Sequence, residues 1–109
     1  MNNFPEDDWK HFKKIQAIAL DRLCARLLKH LQQHCTATAG TNFERFEKAL
    51  SMAKDGSNYY KRAFTDLRRS TAFMKLLQMV DLGLISDEEL QGFSAQTRVK
   101  VAEIHAGDA

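Results

Sequence analysis

Residues 40–50 read Gly-Thr-Asn-Phe-Glu-Arg-Phe-Glu-Lys-Ala-Leu. Thr41 stands three residues before Glu44. At that spacing each side chain reaches the other's backbone N–H and together they close a helix N-terminus. Gly40, just ahead, suits the end of a preceding helix. Phe43, Phe46 and Leu50 follow at helical spacing. One helix therefore ends before Gly40 and another begins near Asn42.

The same device recurs at Ser86 and Glu89, ahead of Leu90 and Phe93. Gly56 and Gly83 fall between apolar-periodic stretches, where a helix would be expected to stop. No stretch alternates as a strand does, and no repeat or low-complexity segment interrupts the pattern. The expected fold is an all-α bundle of four main helices, or five if helix four splits near Gly92–Ser94. At 109 residues the chain is one domain's worth.

Toward the N-terminus, helix one is expected from about Pro5 to His34. Glu6, Asp7 and Asp8 lie in its first turns, where carboxylates meet the positive end of the helix dipole, and a first-turn proline is tolerated. Trp9, Phe12, Ala19, Leu20, Leu23, Cys24, Leu27 and Leu31 share one broad face. Ile15 and Ile18 fall outside that stripe, toward the polar side, which marks them as candidates for a second packing contact, with another helix or with another copy of the chain. Thr36–Gly40 reads as a loop.

Toward the C-terminus, the spacing predicts helix two over Asn42–Lys54, with a break at Asp55-Gly56-Ser57-Asn58. Helix three follows from Ser57 to Leu82. Its first half places Tyr60, Phe64 and Leu67 on one stripe, and its second half places Phe73, Leu77 and Val80 on the opposite side. Either the helix is sandwiched between two neighbours or it bends near Ser70–Thr71. With no glycine or proline there, the sandwich is favoured. Helices one and three are then the long elements and should pack together. Ser86 begins helix four, and Ser94 can cap a separate segment from Ala95 to about His105.

Net charge is +2, but it is unevenly spread. Residues 57–76 hold Lys61, Arg62, Arg68, Arg69 and Lys75 against Asp66, a net of +4. Residues 77–109 carry a net of −4. On one helix, Lys61, Arg68 and Lys75 would form a heptad-spaced cationic ridge flanked by Arg62 and Arg69. Such a ridge could meet nucleic-acid phosphates or an acidic protein surface. An ordinary solvated face, or neutralisation by the acidic segment that follows, is the simpler reading.

His30 and His34, four residues apart with Cys35 adjacent, could chelate zinc. No glutamate stands at the metalloprotease position and no C-x-x-C accompanies them, so last-turn complementation of the helix dipole is favoured and no cofactor is expected. Cys24 and Cys35 are the only cysteines. On one helix they are roughly 16 Å apart, too far for an internal disulfide. Tyr59 projects away from the Tyr60 stripe and is the aromatic best placed for an interface, while Trp9 and Tyr60 are expected in the core.

There is no phosphate-binding glycine loop, nucleophile elbow or spaced carboxylate–histidine pattern. The acidic start lacks a secretory leader pattern, and no stretch has a membrane-spanning length of apolar residues. A cytoplasmic setting is expected. The leading expectation is a protein-interaction or regulatory module, a homodimer or a subunit of an assembly, whose partner is itself or another protein. A nucleic-acid-binding accessory protein using the cationic ridge comes second, and an enzyme assembled from separate helices third.

Overall fold

The computed structural model describes residues 4–108. Every regular element among them is helical: α1 (Glu6–Thr36), α2 (Asn42–Phe64), α3 (Ala72–Asp81), α4 (Asp87–Gln91) and α5 (Ala95–Asp108). The fold is all-α, and the split around Gly92–Ser94 is present. Both capping boxes form, with Thr41 accepting from the Glu44 N–H and Ser86 from the Glu89 N–H.

α1 is the post on which the rest is hung. Its first eighteen residues bury Phe12, Ile15, Ala19 and Leu23. Phe4, Leu76, Met79 and Leu84 close this core from the other elements. Phe4 meets Phe12 and Phe73 edge-on at 6.0 Å each, the favoured arrangement for aromatic quadrupoles. Trp9 is half-buried and stacks on Phe12.

Polar side chains then tie α1 to residues 82–97. Asp8, 1% exposed, accepts from the Ser94 N–H at 2.7 Å and from the Thr97 hydroxyl at 2.6 Å. It therefore supplies an anionic cap to the start of α5, not merely to its own helix. His11 Nε2 lies 2.7 Å from the Glu89 carbonyl. A carbonyl can only accept, so that ring nitrogen carries the proton. Arg22 donates to the Leu84 carbonyl at 2.8 Å, and Arg26 to the Leu82 carbonyl at 2.7 Å.

Three expectations are corrected. First, α2 does not stop at Asp55–Asn58 but runs through Gly56 to Phe64. Gly56 is there for close approach: a Cβ at that position would lie 2.9 Å from Leu27 Cδ2. Second, the long helix from Ser57 to Leu82 does not exist. The chain breaks at Thr65–Thr71, the site of the disfavoured bend. Asp66 takes a left-handed φ of 56°, which a short polar side chain tolerates better than most. The Thr71 hydroxyl holds this turn, donating to the Asp66 carbonyl at 2.6 Å and accepting from the Arg68 N–H at 3.0 Å. The partner lying along α1 is therefore α2. Third, of the two alternatives for Ile15 the contact is with the chain's own helices and not with another copy: it is 2% exposed within the core and is not an interaction residue. The apolar arc of α1 widens at this end because α2 and α3 both pack against it.

Candidate functional site

Beyond Leu23, α1 has no buried residue, and the first fourteen residues of α2 have none either. These two helical segments run antiparallel as an arm leaving the compact end. The molecule measures 53 × 26 × 22 Å, with a radius of gyration of 16.8 Å. A compact chain of this length would have a radius of about 13 Å. Accessible surface is 7187 Å², against roughly 6,200 Å² for a folded monomer of this mass.

α2 carries two apolar seams of alternating three- and four-residue spacing. One runs through Ala49, Met52 and Gly56 and, past the exposed Tyr59, Ala63; these four face α1 and are half-buried to buried. The other runs through Phe43, Phe46, Leu50, Ala53, Ser57 and Tyr60, and every one of these residues is classed as exposed. The assignment of sizes is the reverse of what a self-sufficient hairpin needs. Small residues fill the intrachain seam, while Phe43 and Phe46 are 72% and 62% exposed. On α1, Leu28 is 66% exposed.

Between the outer seam and α1 lies an open apolar groove of about 530 Å³, with Leu27, Leu28 and Leu31 on one wall and Met52, Gly56 and Tyr60 on the other. Cys24 also lines it, and Cys24 and Cys35 are both free thiols. Tyr60 is thus on the outer face and not in the core, a further correction. Ile18, 46% exposed, and Tyr59 remain surface residues. Tyr59 lies with Arg62 in a separate shallow hollow beside Asp81.

The cations expected as a ridge on one helix lie on three segments. Lys61 stays on α2, Arg68 falls in the connector and Lys75 rides on α3. Arg68 pairs with Asp66 at 2.7 Å, Lys75 donates to the Arg62 carbonyl at 2.6 Å, and Arg69 donates to the Phe4 carbonyl at 2.7 Å. The Lys75 bond satisfies a carbonyl at the open end of α2. His30 is exposed and His34 half-buried near the tip of the arm. Among the described residues no group of three or more His, Cys, Asp and Glu side chains is placed to hold a metal ion. No described helix is long and apolar enough to cross a membrane.

Glu44 is held below the ordinary carboxylate value by its hydrogen bonds with Thr41 in the capping box of α2; the three other perturbed carboxylates belong to the scaffold. Burial alone would raise the pKa of Asp8, but hydrogen bonds from Thr97 and Ser94, with the charge of His11, hold it below the ordinary carboxylate value. Glu89 is lowered chiefly by its hydrogen bond from Arg22, against an opposing effect of burial and with help from Ser86. Asp66 is lowered by Arg68. None of the three lines the groove.

The exposed seam was readable as a heptad, since its spacing is strict from Phe43 to Tyr60. What hid it was the expected break at Gly56, which divided the seam between two elements. No family model matches this chain, and no curated protein or solved structure matches it either.

Proposed function

We propose that this chain is a helical protein-interaction module whose docking element is the α1/α2 arm, acting as a homodimer or as a subunit of an assembly. The observation that carries the reading is the exposure of Leu28, which walls an apolar groove, and of Phe43 and Phe46, which continue the outer seam of α2 from that groove toward the tip. Contiguous apolar surface of this kind marks interaction sites, and large aromatic anchors dominate their energetics. A helix with two apolar seams needs two neighbours, and α1 supplies one. The nucleic-acid reading stays second, because two of the cations proposed for it are engaged within the chain, Arg68 with Asp66 and Lys75 with the Arg62 carbonyl.

Thiol accessibility tests the reading without knowledge of the partner. Cys24 lines the groove, so a docked partner covers it. In cells that make the protein, a permeant maleimide should label Cys24 at least roughly tenfold more slowly in the native chain than in a Leu28→Ser/Phe43→Ser/Phe46→Ser variant, because a docked partner closes the site to solvent. Equal labelling rates would show that nothing docks on the arm and would overturn the proposal.

A further inference from the structure

Resting on the interaction reading, we infer that the occupant of the arm is a second copy of this chain, with the two α2 helices antiparallel about a two-fold axis between Ser51 and Met52. The same face carries both the knobs and the hole. Phe46 stands toward the tip of α2, and the groove is walled by Gly56 and Ser57, about three turns further along. A two-fold axis between them seats each copy's phenylalanine in the other's groove. This is the self-complementarity an isologous interface requires.

Two independent features select one register, and a third supports a dimer. The first is size. Antiparallel seams pair the residues of one helix with those of the other in mirror order. About this axis Phe46 meets the second copy's Ser57, Leu50 meets its Ala53 and Phe43 meets its Tyr60. Large residues oppose small ones through the middle of the seam, as interdigitating layers do.

The second feature is charge. Glu47, Lys54 and Lys61 border the outer seam on the edge away from α1, seven residues apart. Glu47 and Lys54 are exposed, and neither has an opposite charge three or four residues away on its own helix. In the stated register Glu47 of each copy flanks Lys54 of the other. A shift by one heptad toward the tip would set Glu47 beside Glu47. A shift by one heptad toward the compact end would set Lys54 beside Lys54. Flanking charges of this kind choose partner and orientation in coiled coils, and like pairs are disfavoured.

The third feature is area. The chain exposes 7187 Å², roughly 1,000 Å² above the expectation for a compact monomer of its mass. A standard interface covers about 800 Å² on each partner. The surplus is thus of the size a stable dimer would remove.

The test is a charge exchange read by sedimentation equilibrium of the purified full-length chain, with helicity checked by circular dichroism. The native chain is expected to dimerise. Glu47→Lys alone and Lys54→Glu alone should each weaken the dimer by roughly tenfold or more, since two attractive pairs become two repulsive ones. Mixing the two single variants should produce a heterodimer of near-native affinity, and the Glu47→Lys/Lys54→Glu double variant should self-associate again. Phe46→Ser, at an exposed position, should give a folded monomer. A native chain that stays monomeric to several hundred micromolar would overturn the second copy as occupant, while slow maleimide labelling in cells would still uphold the interaction reading. A dimer indifferent to both single charge reversals would overturn this register and leave that reading standing.

Discussion

Both terminal nitrogens of the Arg22 guanidinium reach Glu89, at 2.5 and 2.9 Å, while the same carboxylate accepts from the Ser86 N–H at 2.8 Å. The capping box of α4 is therefore held from outside by α1. A helix of five residues has little cooperative stability of its own, and this grip, with the His11 bond to the Glu89 carbonyl, fixes its place.

Glu89→Ala should cost about 1–2 kcal/mol, the usual range for losing an N-terminal cap together with a charge-assisted bond. Ser86→Ala should cost less, because Arg22 keeps its partner. Urea denaturation of the two variants gives the comparison. An equal loss in both would mean that α1 contributes nothing to holding α4.

Asp8 makes the compact end sensitive to acid. Its folded-state pKa is below the ordinary value, so its contribution to stability is fully present above the unfolded carboxylate range near pH 4. The contribution is lost as pH falls through the lower, folded-state value. Asp8→Ala should cost about 2–4 kcal/mol at neutral pH, since the Ser94 N–H and Thr97 hydroxyl lose a buried acceptor. It should also flatten the stability profile below about pH 4. A variant that keeps the native acid dependence would assign that dependence to other carboxylates.

Gly92 lies against His11: a Cβ there would fall 2.2 Å from the imidazole Nε2. Gly92 has φ −74°, so its backbone does not require glycine and the space does. Gly92→Ala should cost about 1–3 kcal/mol by displacing the ring from the Glu89 carbonyl. In a His11→Ala background the same substitution should be nearly neutral, a coupling that a double-mutant cycle measures.

Burial divides the apolar residues into two classes with different behaviour. Leu76→Ala and Leu23→Ala, in the compact core, should each cost about 2–5 kcal/mol. Phe43→Ala and Leu28→Ala, measured at concentrations where the chain is monomeric, should each stay within about 0.5 kcal/mol. A large loss at Phe43 under those conditions would show that the arm folds back on its own chain.

Much of the fold was legible where polar chemistry acts over three or four residues. Thr41 with Glu44, Ser86 with Glu89, and Ser94 ahead of Ala95 each mark a helix start that the structure contains. The misread positions depend on partners distant in sequence. Gly56 resembles a terminator but serves the approach of Leu27. The turn at Thr65–Thr71 has no glycine or proline and is built from Asp66 and the Thr71 hydroxyl. Ile15 looked surplus because one stripe was counted where two neighbours pack. Phe43 and Phe46 show the deeper limit. Periodicity identifies an apolar face, but it does not say whether the face is covered by the same chain.

The unbroken course of α1 has a mechanical consequence. It spans 31 residues from Glu6 to Thr36 with no glycine or proline, a rod of roughly 45 Å. Its first two thirds are clamped by Asp8, His11, Arg22 and Arg26, and its last third is one strut of the arm. Such a rod has no hinge at which the arm could swivel independently. A tilt imposed at the tip is carried to the clamped end as a lever carries it, so the tip and the compact end keep a set distance and angle to one another.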